Sequence, residues 1–274
     1  MDKTMGKQLI RKLLPMLDKM NWPDTPVATA KGQQAFEIGM EKIDNAPNDP
    51  QAIAHAIRVF LSGDSLPYAL AGVAYALVYA SREKNGAFAP EGLEAAMEWL
   101  EKAQELEPDL VDINVIEALI YIYSDRFDDA RLILDYLQGQ EPTNHYLHLA
   151  EIQYWYNQRN LEQTVHWFEQ AAISAITVPQ RLRLSARLGD VYMEFKQPQK
   201  AVEAYREAIH FNKDNHLLWY KLAVAYWQQE DYAEAERCVD QVLRIKSDFA
   251  LGLKLKQALQ KKQSSGVLGR LFGK

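Results

Sequence analysis

Three observations predict an all-α solenoid of antiparallel helical hairpins. First, the last third of the 274-residue chain repeats every 34 residues: Leu188-Gly189 and Tyr192 return as Leu222-Ala223 and Tyr226, Ala201 as Ala235, and Ala208 as Val242. One phase earlier, Pro108 returns as Pro142. A fixed period of this length marks stacked supersecondary units. Second, small residues fall in matching sets, with Gly72, Ala118, Gly189 and Ala223 on first helices and Ala96, Ala130, Ala201 and Ala235 on second helices. Backbones approach closely at such positions, and large residues three or four places away fill the remaining groove. Third, no strand-like alternation runs far, and Pro and Gly fall mostly at expected turns such as Gln197-Pro198 and Glu141-Pro142-Thr143-Asn144. A solenoid can bury a continuous core at this length without dividing into globular domains.

The elements follow in order. Residues 1–30 form an amphipathic helix and linker: Leu9, Ile10, Leu13, Leu14, Leu17 and Met20 recur at helical spacing, among Lys7, Arg11, Lys12 and Lys19. Pro15 must kink that helix or divide it. It is expected to cap the first hairpin, with a membrane or partner helix as the alternative. Residues 31–64 form a degenerate or capping hairpin, with apolar Ala35, Phe36, Ile38 and Ile43, then Ile53, Ala56, Ile57 and Phe60. Repeats are expected at 65–110, 111–144, 145–181, 182–215 and 216–249. The first of these carries an insertion near Ser81–Gly92, with Gly86 and Pro90 in it. The third is expected to slip by one or two residues in its first helix, where Glu151-Ile152 stands at the Leu-Gly position. Residues 250–263, with Leu251, Leu253, Leu255 and Leu259, cap the last repeat, and 264–274 form a flexible tail.

The pattern resembles the tetratricopeptide repeat, whose signature runs Trp, Leu-Gly, Tyr, then Ala, an aromatic, Ala and Pro. The last repeat carries Trp219, Leu222-Ala223, Tyr226, Tyr232, Ala235, Val239 and Val242; the one before it has Leu188-Gly189, Tyr192, Ala201, Tyr205 and Ala208. Residues 111–144 supply Ala118, Tyr121, Phe127, Ala130, Leu134, Leu137 and Pro142. Residues 65–110 supply Tyr68, Ala71-Gly72, Tyr75, Leu93, Ala96, Leu100, Ala103 and Pro108. The resemblance implies a right-handed superhelix whose first helices line a concave, partner-binding groove. Its groove positions fall on Val115, Ile116, Leu119, Ile122 and Tyr123, then Gln153, Tyr156 and Asn157. They continue with Arg183, Arg187 and Asp190, then Tyr220, Lys221, Val224 and Trp227. They also take in Asp112, Met193, Glu194 and Gln228. The floor is expected to be apolar in its N-terminal half and cationic, through Arg183, Arg187 and Lys221, in its C-terminal half. One variant of the family grips the C-terminal carboxylate of chaperone peptides. Only Arg183 and Arg187 match its five residues here, with Val115, Leu119 and Ala150 where the others should stand, so that specificity is not expected.

Composition narrows the function. The formal net charge of −6 is uneven: of 31 basic and 37 acidic residues, five and two lie in 1–20 and six and none in 249–274, leaving 20 against 35 between. An acidic body argues against nucleic acid as the main partner. Cys238 is the only cysteine, so no intramolecular disulfide forms, and a buried inert thiol in the cytoplasm is expected. No stretch reaches the ~20 apolar residues that span a bilayer, and no secretory signal is expected. There is no serine elbow, Walker loop or glycine-rich phosphate cradle. His145 and His148, with His166 in the next helix, have metal-like spacing but lack a completing ligand and are read as packing or surface residues. No catalytic residue, metal or cofactor is expected. The predicted function is a non-catalytic cytoplasmic scaffold or adaptor that holds an extended or helical segment of another protein. The alternative is a self-assembling structural protein in which one copy's terminal helix fills the next copy's groove, with peripheral membrane contact through its basic ends. The tail places Val267, Leu268, Leu271 and Phe272 on one helical face, with Arg270 and Lys274 at its edge. It looks like the C-terminal membrane-targeting tails of Min-system cell-division ATPases over nine residues. Membrane docking, a protein-recognition motif and a frayed terminus all remain open for it.

Overall fold

The structure is a computed structural model that describes the backbone of residues 5–272 and side chains as far as Lys262. The described residues are all-α, with fourteen helices and one isolated β-bridge. They form two compact units, Met1–Trp167 and Phe168–Lys274. The first unit holds α1 (Met5–Leu17) and three hairpins: α2 (Ala30–Asn45) with α3 (Pro50–Ser62), α4 (Leu66–Ala80) with α5 (Pro90–Leu106), and α6 (Val111–Tyr123) with α7 (Phe127–Gln140). It continues with α8 (His145–Asn157), and α9 (Leu161–Ser174) carries the chain into the second unit. There α10 (Val178–Glu194) pairs with α11 (Pro198–Phe211), α12 (His216–Gln228) with α13 (Tyr232–Ile245), and α14 (Ala250–Phe272) packs on α13.

The first unit is organised around α4, which buries every residue except Leu66 and Tyr79. A helix apolar on all sides needs neighbours on all sides, and α1, α2, α3, α5 and α6 provide them. Its Gly72 was expected to face its own second helix. It faces the preceding hairpin instead: a Cβ there would stand 2.3 Å from the Phe60 ring of α3. The same ring crowds Gly39 of α2, so Phe60 is wedged between two glycine-bearing first helices.

The N-terminal helix differs from expectation in two ways. Pro15 neither divides it nor stands mid-helix; it lies in the last turn, two residues before the end, and α1 is one element. Nor does α1 settle on the first hairpin. It buries Ile10, Leu13 and Leu17 and packs on α4 and α5. The linker makes this possible. Trp22 stacks on Trp99 of α5 at 4.8 Å, the Leu66 N–H donates to the Thr25 carbonyl, and the Ala28 N–H donates to Glu107. The insertion between α4 and α5 is a short clip closed by the antiparallel bridge Arg82–Phe88 and an Ala89 N–H to Ser81 carbonyl bond.

The turns inside four successive hairpins are alike. Asp125, Arg159, Lys196 and Glu230 have φ of 58°, 56°, 57° and 62°. After each, an N–H bonds back to a carbonyl in the last turn of the first helix, as from Arg126 to Tyr121 and from Asp231 to Tyr226. This is the six-to-one closure of a left-handed helix terminus. These turns mark the true register. Asp125 and Arg159 are 34 residues apart, so the expected slip in α8 does not occur. Glu151 and Ile152 keep the usual positions, at 1% and 0% exposure. Glu151 is tolerated there because Arg131 of α7 binds both its oxygens, at 3.0 and 2.7 Å. The extra length falls later, as 37 residues between Arg159 and Lys196. It lengthens α10, which begins at Val178 rather than 182 because Thr177 and Gln180 form a capping box that spans Pro179.

In the second unit the small positions behave as expected: Ala201, Ala208, Ala223 and Ala235 are fully buried, and Gly189 lies against the Tyr205 ring. The backbone of α14 continues through Ser264-Ser265-Gly266, where the sequence reading ends the capping helix. The side chains of the docking tail (Val267, Leu268, Arg270, Leu271 and Phe272) lie outside the described residues.

Candidate functional site

The expected groove residues separate into two groups. On α6, Val115, Ile116, Leu119 and Ile122 are not a floor open to a partner. They are buried at 2%, 0%, 8% and 1% exposure within the core of the first unit. The cause is tertiary: α4, α5, α7 and α8 all pack on α6, and this helix too is apolar on nearly every side. Tyr123, at its end, is half-buried and stacks on Phe88 of the insertion clip, with ring centroids 4.0 Å apart. Gln153, Tyr156 and Asn157 of α8 are half-buried, and the Asn157 side chain donates to the Gln153 carbonyl.

Asp112, also at a groove position, is structural. It is 7% exposed and accepts from Gln33 of α2 at 3.1 Å and from Asn144 at 2.9 Å. Asn144 in turn caps α8 by accepting from the Tyr146 and Leu147 N–H groups. One carboxylate thus ties α2 and α8 to α6. Burial holds its pKa above the ordinary aspartate range, with Asn144, Gln33 and Tyr68 pulling against that shift.

The second group lies in the second unit, on neighbouring faces of α10 and α12. Arg183, Arg187, Asp190, Tyr220, Lys221, Val224 and Trp227 are all half-buried, sitting neither in the core nor fully in water. A polar link crosses between the helices: the Lys221 ammonium lies 2.6 Å from Asp190 Oδ2, and the Tyr205 hydroxyl donates to Asp190 Oδ1 at 2.8 Å. Lys221 is therefore matched by a carboxylate and does not add an unopposed positive charge to this face, as the sequence reading expected. Tyr220 meets Phe249 edge-on at 5.5 Å, and Trp227 meets Tyr232 at 5.2 Å.

Trp227 leads into a cleft of about 700 Å³ at the turn end of these hairpins, which Met193, Glu194 and Gln228 line with it. The remaining walls are Lys196, Pro198, Glu230, Tyr232 and Lys262, which the first-helix rule did not include. Lys196 and Glu230 are the left-handed turn residues themselves, so the 34-residue repetition of the turn was the signal that could have located them.

His148 is buried, with Nε2 2.8 Å from the Pro142 carbonyl and its ring 5.5 Å from Trp167, so it serves packing. Burial pushes the Cys238 thiol up to about 12, so this cysteine is held as the unreactive thiol. Among the described residues, no helix is long and apolar enough to cross a membrane.

Residues 192–259 match the family model of the tetratricopeptide repeat. Two solved structures share the fold. Pseudomonas aeruginosa pilF is 19% identical with a TM-score of 0.51, over 67% of this chain and 86% of its own. A chain of the APC/C hetero-tetramer Cut9–Hcn1 is 13% identical with a TM-score of 0.56, over 84% of this chain and 46% of its own. No curated protein matches the sequence.

Proposed function

We propose that this chain, whose residues 192–259 match the tetratricopeptide-repeat family model, is a non-catalytic scaffold that holds a segment of a partner protein on the α10–α12 face. The observation that carries this reading is the continuity of half-buried Tyr220, Val224 and Trp227 with the cleft beside Trp227. Aromatic and aliphatic side chains already partly desolvated lose little rotamer freedom on binding, so they are suited to act as anchors. The Lys221–Asp190 pair gives a neutral polar stripe beside them, which favours a segment able to exchange hydrogen bonds over one chosen by charge alone. Affinity is expected to rest on apolar burial.

The test compares proteins captured from the native cell by the wild-type chain, by Trp227→Ala with Val224→Ser, and by the control Leu132→Ser on the exposed side of α7. A protein retained by wild type and control but lost from the double variant supports the site. Equal capture by all three, with circular dichroism unchanged, removes partner binding from this face.

A further inference from the structure

The insertion clip between α4 and α5 makes contact on two sides, and each contact has its own geometric basis. On one side it seats the start of α1. The Gly6 N–H donates to Glu83 Oε2 at 3.2 Å, which places a carboxylate at the positive end of the α1 dipole. Gly6 approaches so closely that a Cβ would stand 2.4 Å from the Ser81 carbonyl oxygen, and that oxygen belongs to backbone, which cannot swing away. One turn later Ile10 lies over Gly92, where a Cβ would meet its Cγ1 at 3.1 Å. On the other side, Phe88 of the same clip stacks on Tyr123 at the end of α6. Glu83 and Phe88 belong to one short, internally bonded segment. The Arg82–Phe88 bridge, the Glu83 N–H to Ala87 carbonyl bond at 2.7 Å and the Ala89 N–H to Ser81 carbonyl bond at 2.9 Å staple the clip between them.

We propose that α1 is a detachable latch, and that the clip couples its docking to the position of Tyr123. The seat is built to be left. Glu83 Oε1 is buried with no hydrogen-bond partner, so the docked state holds a half-satisfied carboxylate. The Lys7–Glu91 pair beside it is exposed and screened by salt. Ile10, Leu13 and Leu17 are the fully buried apolar side chains of this 13-residue helix, Leu9 and Leu14 are partly buried beside them, and Gln8, Arg11, Lys12, Pro15 and Met16 face solvent. When α1 leaves, the clip loses one of its two supports, and Phe88 is free to release Tyr123. By the same coupling, whatever displaces Tyr123 loosens α1, because linkage between two sites is reciprocal.

The experiment needs no partner, so its failure leaves the scaffold reading standing. Amide hydrogen exchange is followed in the full chain for wild type, Gly6→Val, Glu83→Gln and Tyr123→Ala. Gly6→Val and Glu83→Gln are expected to speed exchange at Leu9–Leu17 on the order of ten-fold through easier local opening. They should also speed exchange at the Glu83, Gly86 and Ala89 amides, with α11–α13 unchanged as the folding control. Tyr123→Ala, which removes the ring stacked on Phe88, should speed exchange in the clip and in α1. Wild-type protection of Leu9–Leu17 in both Gly6→Val and Glu83→Gln overturns the seat. Effects of Gly6→Val and Tyr123→Ala that stay on their own sides of the clip overturn the coupling.

Discussion

Asp125, Arg159, Lys196 and Glu230 hold a left-handed backbone without being glycine. That conformation brings Cβ against the following carbonyl and costs roughly 1–2 kcal/mol for an L-residue. Replacing Lys196 with Gly relieves it, at the cost of about 0.4–1 kcal/mol of added freedom in the unfolded chain. The expected net effect is a gain of up to about 1 kcal/mol in urea denaturation, whereas β-branched Lys196→Val should lose stability. A glycine variant clearly less stable than wild type would show that the Lys196 side chain contributes more than its backbone costs. At Asp112 the sign of a pH effect can be fixed. Its folded-state pKa is raised, chiefly by burial. The stability this gives is fully present below the unfolded value of about 3.9 and is lost as pH rises through the raised folded value. Glu37 shifts the same way, from burial first and Asp112 second. Asp112→Asn should therefore gain relative to wild type as pH is taken from about 4 to about 7, read as a difference in denaturation midpoints. A constant difference across that range would mean that Asp112 titrates normally. The turn at Lys196 was legible only through its recurrence 34 residues on at Glu230, since a charged side chain by itself gives no sign of positive φ. Asp112 gave no such signal, because its burial depends on Gln33, far away in sequence.

At the scale of helices, the 34-residue period carried most of the information because small residues have a local cause that repeats. Ala235→Leu should overpack the α12–α13 contact by about 1–3 kcal/mol, since Ala235 is fully buried. Phe60→Ala should cost more, about 3–5 kcal/mol, because Gly39 and Gly72 have no side chains with which to fill the space the ring leaves. Thermal melts of both variants check the order, and an Ala235→Leu chain that melts like wild type would disprove the assigned interface. The two misplaced boundaries have different causes. The start of α10 is legible in the capping-box spacing of Thr177 and Gln180, a local signal that the 34-residue phase, which points to 182, does not contain. The supposed slip in α8 arose from Glu151 in an apolar position, and the partner that makes it acceptable, Arg131, belongs to another helix. A periodicity argument has no access to such a pair.

For the whole molecule, charge and periodicity indicated what class of machine this is, but not which of its faces is open. The family rule assigned equal standing to inward positions on every first helix. It assumes a helix with one free side, and α6 has none. This changes what substitutions there should do. Ile116 and Leu119 are at 0% and 8% exposure, so changing either to Ser removes a buried side chain and leaves a hydroxyl in its place, and destabilisation of about 2–5 kcal/mol is expected. Tyr220 and Val224 are half-buried on the α10–α12 face, and their change to Ser should cost no more than about 1 kcal/mol of stability while weakening the partner. Two measurements on the same variants, denaturation and partner affinity, therefore separate the two groups. The α6 variants should lose stability first and affinity only as the folded fraction falls, whereas the α12 variants should lose affinity at unchanged folded fraction. The reverse pattern, with stable α6 variants that no longer bind, would return the site to the first unit and make the burial of α6 a closed state of the groove.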